Sequence, residues 1–322
     1  MTWRPQRRSG GGLARAAWLQ GAVTILLLVA ALFPARPVFA AACCVSATSG
    51  GVGRLLIWEQ WAAGLIFAGS QGPGAWDSEG RWRPYRGYGE SELRADLWAQ
   101  VRVDSRSSLY LRAPWLFSWR ESATEQAFGQ GLGDLQLGGR YELVAIGEYL
   151  ELPGVALSAA VNAPTGRTPD AAEAPLAADA TTRGGWSLGA ELVLEQTWLP
   201  AFLQARIGAS LPLEAQLVGS DRAQRFGPGA SLALVAGAEL VPDVWILSAR
   251  VGGSWESAIV LDGAAVSGSE RLDLSASVAA AWRFDPHWTL QLSAHSGLFL
   301  DGLGDNQPGR WGGQLGLRYG HF

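Results

Sequence analysis

The sequence predicts an all-β fold, a transmembrane antiparallel up-and-down β-barrel of about 12 strands. Three observations carry that prediction. After residue 40, apolar and polar residues alternate along most of the chain. The connections between alternating stretches run long, short, long, short. Aromatic residues gather at the ends of the stretches, away from their middles. Short periplasmic turns, long extracellular loops and interfacial aromatic rings are the marks of a barrel crossing an outer membrane.

The first residues are set apart. Arg4, Arg7, Arg8 and Arg15 precede an apolar run from Gly21 to Phe33, and Val38-Phe39-Ala40 places small residues at cleavage offsets. Residues 1–40 read as a cleaved signal peptide. The alternative, an N-terminal membrane anchor, needs about 20 apolar residues, more than this run supplies. Residues 41–53 are expected to form a short periplasmic segment and 54–322 a single barrel. Cys43 and Cys44 are the only cysteines. Ala41-Ala42-Cys43 resembles a lipoprotein cleavage box, which makes Cys43 a candidate for lipidation, although Ala40 stands where such boxes carry Leu. With no other cysteine, the barrel has neither a disulfide framework nor a Cys-based zinc site.

Removing residues 1–40 takes away five arginines and no acid, leaving 20 Arg against 29 Asp plus Glu, a net charge near −9. Nucleic acid would want a basic surface and is excluded as a partner. Glycine (42) and tryptophan (16) are abundant, as tight turns and an interfacial belt require. After the leader, no stretch approaches the ~18 uninterrupted apolar residues of a transmembrane helix. A membrane location then demands a closed barrel, because open sheet edges cannot be satisfied in lipid.

Strands are expected at 54–69, 91–103, 108–120, 133–146, 154–163, 185–198, 201–211, 229–241, 244–257, 270–284, 287–300 and 311–322. In 91–103, Leu93, Ala95, Leu97, Ala99, Val101 and Val103 share one face, and Arg94, Asp96, Trp98, Gln100 and Arg102 the other. Short turns fall near 104–107, 147–153, 199–200, 242–243 and 285–286. Pro153, Pro200, Pro242 and Pro286 sit in them, where a fixed φ presets the bend. Long loops are expected near 70–90, 121–132, 164–184, 212–228, 258–269 and 301–310. The loop 164–184 is long enough to fold inward and constrict a lumen.

Tyr149, Trp198, Phe202, Trp245, Phe284 and Trp288 lie beside the short turns; Trp119, Trp186, Trp255, Phe299 and Trp311 lie beside the long loops. They are expected to form girdles at the two membrane interfaces, against outer-membrane lipid. A soluble sandwich would instead bury its aromatics mid-strand.

Strand parity gives the inward face: Arg94, Asp96, Arg102, Arg112, Asp134, Arg140, Glu142, Glu191, Glu195, Arg206, Glu239, Arg250, Asp273, Arg283, His295 and Arg318. Both signs interleave, as in wall-stiffening ladders or a polar lining that selects solute. Glu195 and Arg206 flank the turn at 199–200 and are expected to pair. Late strands turn small groups inward: Ser231, Ala233 and Gly237; Ser248, Gly252 and Ser254; Ser275, Ser277 and Ala279; Ser293 and Gly297; Gly312 and Gly316. Small groups facing a charged wall leave room for a lumen in a barrel this wide.

Catalytic and metal motifs are weak, and no cofactor is expected. His295 and Ser293 share a face, but residues two apart along a strand are nearly 7 Å apart, too far for a nucleophile–base bond. Gly129, Gly131 and Gly133 lead into a strand, not a helix, so they form no dinucleotide site. No two-histidine spacing or acidic calcium loop stands out. The chain is expected not to be an enzyme.

Gly133-Asp134-Leu135 leading to Gly139-Arg140-Tyr141, then Ala163-Pro164-Thr165-Gly166, Trp282-Arg283-Phe284 and Leu317-Arg318-Tyr319 resemble the outer-membrane channel proteins of Gram-negative bacteria grouped with the phenol meta-pathway type. The resemblance implies passive or facilitated uptake of small, often hydrophobic or aromatic, solutes. Barrels of this kind end in a Phe read by the barrel-assembly machinery, and this chain ends in Phe322. Leu315, Leu317 and Tyr319 are one step out of phase with it, a slip that a bulge or a frayed end would absorb. The alternatives are a non-transporting barrel with a structural or adhesive role through its loops, and a lipid hydrolase acting at the rim.

Overall fold

The structure, a computed structural model, describes residues 53–149, 151–198, 200–216 and 222–322. The leader, Cys43, Cys44 and most of the 41–53 segment lie outside the described residues. Long antiparallel strands form a closed ring of 12. They are β1 (Trp61–Trp76), β2 (Gly89–Arg102), β3 (Ser107–Glu121), β4 (Leu135–Val144), β5 (Gly154–Ala163), β6 (Ser187–Trp198), β7 (Ala201–Pro212), β8 (Gly229–Val241), β9 (Trp245–Glu256), β10 (Arg271–Arg283), β11 (Trp288–Gly297) and β12 (Pro308–His321). Each pairs with the next in sequence, and β12 pairs with β1, His321 opposite Trp61. The ring has no free edge, so every strand can meet hydrocarbon without orphaned backbone groups.

The outer face is apolar and exposed. Leu97 is 62% accessible, Leu137 59% and Val278 60%. In water such a belt would be a severe liability. Around a closed ring it is the lipid-facing surface of a transmembrane barrel. Among the described residues no helix is long and apolar enough to cross a membrane; the strands do the crossing.

The first strand differs from expectation. It begins at Trp61, not 54, and runs on to Trp76. Arg54, Leu55, Leu56 and Glu59 turn into the barrel instead: the Glu59 N–H donates to the Leu56 carbonyl (3.0 Å) and the Leu56 N–H to Glu59 Oε2 (2.7 Å). The physical reason is capture by arginines from neighbouring strands. Arg102 Nε donates to the Glu59 carbonyl and its Nη2 to the Leu56 carbonyl, at 2.8 and 2.6 Å.

Residues 122–134 also differ from a plain loop. Gln126–Leu132 folds back on the upper half of β3 as a hairpin, leaving only the lower half of β3 to pair with β4. The Ser122 hydroxyl accepts from the Glu125 N–H at 3.1 Å and closes the turn. At the same end, Ala215–Gln216, Ala223–Arg225, Val260–Leu261 and Ala264–Ala265 join two loops in a small four-stranded sheet. At the other end the turns are tight. Asp104 Oδ1, for example, accepts from the N–H groups of Arg106 (2.7 Å) and Ser107 (2.8 Å).

Inside, aromatic rings lie over glycines directly across the ladder: Trp98 over Gly64, Tyr110 over Gly138, Phe202 over Gly237. A Cβ on any of these glycines would overlap the ring. Ring and glycine together fill the space that two ordinary side chains would contest.

The last strand stays regular to its end. The ladders of β12 with β1 and β11 continue without a bulge past Trp311, and Phe322 lies just beyond the strand. Its ring stacks on His287 at 4.5 Å. The phase slip is therefore absorbed by ending the strand one residue early.

Candidate solute pathway

Parity along each strand brings the charged side chains to the interior. Asp96, fully buried, is the hub of one group: Arg94 Nε donates to it from 3.0 Å and Arg112 Nη2 from 2.7 Å. Glu191 accepts from Arg206 through both oxygens, at 2.9 and 2.7 Å. This two-pronged geometry is the strongest form of such a pair. Glu142 is held by Arg54, with Nε 2.6 Å from Oε1 and Nη2 3.0 Å from Oε2. Arg140 lies 3.8 Å from the same carboxylate.

Glu195 and Arg206 do not pair. The two-residue turn sets Glu195 opposite Gln204 and Arg206 opposite Val193. Glu195 accepts from Gln204 Nε2 at 2.8 Å, and Arg206 reaches diagonally to Glu191. Register, fixed by turn length, decides the partner.

Arg112, Arg140, Glu191, Gln204 and Arg206 of these groups border a cavity of about 420 Å³. Arg112, Arg140, Glu191, Arg206, Arg250 and Glu256 supply its charges; Gln136, Ser158, Ser210, Ser231 and Ser254 supply neutral polar groups. Ser231, Ala233 and Ser254 are the late-strand small residues that line it. Other small positions are occupied by their neighbours: Phe202 covers Gly237, and Phe299 crowds Gly297.

Asp134 is placed differently from the wall residues. It precedes β4, and its carboxylate accepts from the Thr182 hydroxyl and the Gly166 N–H (3.3 Å). It anchors the loop between β5 and β6. That loop reaches across the long-loop end of the barrel. Arg120 donates to the carbonyls of Leu176 (2.8 Å) and Ala177 (2.7 Å) on one side. Arg183 grips both oxygens of Glu256, the last residue of β9, on the other. Within the loop, burial works against ionisation of Asp179. The N–H groups of Glu173 and Ala174 and the Arg167 guanidinium outweigh it and hold the carboxyl at about 2.

The opposite end is filled. Arg54, Leu55, Leu56 and Glu59 are buried inside it. Arg318 donates to both oxygens of Glu59, Nη1 to Oε1 at 2.6 Å. Arg102 holds the same segment, so neither Arg102 nor Arg318 faces the cavity. An apolar cluster of Phe202, Val235, Ile246 and Ala281 packs at this end too. Glu239 is buried there, and Arg283 lies 3.6 Å from Asp243. Asp273 and His295 are half-buried on the inward faces of β10 and β11.

Trp119, Trp186, Trp198, Trp245, Trp255, Phe284, Trp288, Trp311 and Tyr149 are exposed. Phe202 is not in a girdle: it is 4% accessible and points inward. Its parity with Gln204 and Arg206 overrides its position beside a turn. Phe299 also departs from the expectation, stacking on Trp82 at 4.7 Å and lying against Trp76, whose Nε1 donates to the Leu300 carbonyl.

Several interior residues escaped the sequence reading. Arg310 on β12 bonds Glu90 and Glu92, each at 3.1 Å; its parity with Arg318 was the available signal. Gln100, which the sequence already sets on one face with Arg94 and Asp96, donates to the Ser108 hydroxyl at 2.9 Å. Arg54 and Glu59 gave no signal, since their partners are remote in sequence. Among the described residues no cluster of His, Cys, Asp and Glu is arranged to hold a metal.

The chain matches no family model, and no curated protein is similar to it in sequence. Solved structures are similar to it. An outer-membrane channel from Pseudomonas putida F1 is 15% identical with a TM-score of 0.65, over 83% of this chain and 97% of that one. The translocator domain of the autotransporter NalP from Neisseria meningitidis is 12% identical with a TM-score of 0.47, over 86% of this chain and 93% of that one. The chain has the fold of an outer-membrane β-barrel.

Proposed function

We propose that this chain is an outer-membrane channel for passive or facilitated diffusion of small solutes through a charged, polar lumen. One observation carries the reading: a cavity of about 420 Å³, walled by charged and hydroxyl side chains, lies inside a ring whose outer face is apolar. That volume is within the range of small-molecule sites, about 300–1,000 Å³. In this reading Arg94, Asp96, Arg112, Arg140, Glu142, Glu191, Glu195, Arg206, Arg250, Asp273 and His295 border the route. The exposed tryptophans and Phe284 sit at the lipid interfaces, and Phe322 is offered to the assembly machinery. The channel of Pseudomonas putida F1 shares the fold, which supports the reading without fixing the solute. Small hydrophobic or aromatic compounds are the class its sequence resemblance implies.

A non-transporting barrel is the second reading, favoured by Arg54, Leu55, Leu56 and Glu59 buried at one end and the loop drawn across the other. Refolded protein separates the two. Heat-modifiable gel migration establishes the closed barrel, and a planar-bilayer recording then reads conductance. Measurable single-channel steps support the channel. Silent bilayers with correctly folded protein overturn it.

A further inference from the structure

The charge balance inside the cavity is uneven. Both of its acids are spent: Glu191 on Arg206, and Glu256 on Arg183 from the loop above. Arg112 is spent on Asp96. Two arginines remain. The Nε groups of Arg140 and Arg250 are buried with no acceptor. Arg140 makes a long ion pair with Glu142, at 3.8 Å, and Arg54 already grips both oxygens of that carboxylate. Glu195 is within electrostatic range of Arg140, and Glu191 and Asp273 of Arg250, but none of them bonds either guanidinium; Glu195 accepts from Gln204 and Glu191 from Arg206 instead.

A buried guanidinium nitrogen without an acceptor is costly, because its desolvation is not repaid. A cavity carrying two such groups is completed by an acceptor from outside. Guanidinium geometry matches a planar carboxylate best. Ser158, Ser231 and Gln136 add neutral donors, while Val193, Ala160 and Ala233 offer apolar wall for a small organic body.

We propose that the cavity between β4 and β9 is a binding site for small organic carboxylates, with Arg140 and Arg250 as the anion-recognising residues. It rests on the channel reading, since it names the solute class of that same lumen, and it shifts that class from neutral toward anionic compounds.

The test uses refolded full barrel with benzoate and its neutral analogue benzamide as probes. Calorimetric titration is expected to show benzoate bound in preference to benzamide, with Arg140→Gln and Arg250→Gln each weakening benzoate by about tenfold. Heat-modifiable migration verifies that each variant has folded. In a salt gradient, the wild-type reversal potential is expected to lie on the anion side and to move toward zero in both variants. Equal binding of the two probes, or benzoate binding unchanged by both substitutions, overturns the site. Conductance without anion bias or benzoate preference overturns the site and leaves the channel standing. Charge-dependent benzoate binding in a barrel that never conducts overturns the channel and leaves the site standing.

Discussion

Glu59 and Arg318 face each other within the short-turn mouth of the barrel, both buried, joined through two oxygens and two nitrogens. One precedes the first strand and the other is in the last, so the pair pins the start of the barrel segment to its closing seam. Removing one member leaves the other charged and enclosed, at a cost of about 3–5 kcal/mol. Arg318→Met is expected to lower the urea midpoint of the refolded barrel by a corresponding amount. Glu59→Gln keeps the shape and loses the charge. It is expected to expose residues 54–60 to protease and to raise single-channel conductance. Unchanged conductance in a variant whose segment is cleaved would remove that segment from the solute route.

The loop across the long-loop end is expected to loosen in acid. Asp179 titrates at about 2 in the folded chain, below its ordinary 3.8, so its contribution is fully present above about pH 5 and fades as pH falls toward 2. Amide exchange at Glu173 and Ala174, corrected for intrinsic rate, should quicken over that window. Asp179→Asn should exchange quickly throughout and lose the pH dependence.

Gly237→Ala is expected to destabilise the barrel by about 1–3 kcal/mol. Its new Cβ would overlap the Phe202 ring. The double variant Gly237→Ala with Phe202→Leu should recover part of the loss. Urea titration of the single and double variants measures the coupling; strict additivity would mean that the two residues do not share the space.

Val278 and Ser293 sit on neighbouring strands with opposite orientation. Val278→Arg places a charge mid-strand in the apolar belt and is expected to cost about 2–4 kcal/mol in lipid refolding. Ser293→Arg points inward and is expected to change conductance with little effect on stability. Equal stability losses would contradict the assignment of inside and outside.

The ring was legible in the sequence because alternation is a local property. Each strand carries its own parity, and the turn lengths order the strands. What stayed hidden depends on residues far apart in the chain. Nothing in Arg54–Gln60 shows that Arg102 and Arg318 will draw it inward. Phe202 was ambiguous because two local rules disagreed: its place beside a turn indicated the interface, its parity with Arg206 indicated the interior, and packing on Gly237 follows parity. The partner of Arg206 depended on register, which a two-residue turn fixes but alternation does not. The cavity came partly into view through Ser231 and Ser254, whereas the rings of Phe202 and Phe299 occupied other small positions.

The seam between β1 and β12 makes completion an all-or-nothing event. Every intermediate shorter than the full ring presents two raw strand edges, which hydrocarbon cannot tolerate, and the pairing that removes them joins residues from the two extremes of the barrel segment. Closure therefore acts as a proofreading step on biosynthesis: a chain that stops before Pro308 lacks the strand that meets Trp61–Trp76 and has no stable resting place in the bilayer.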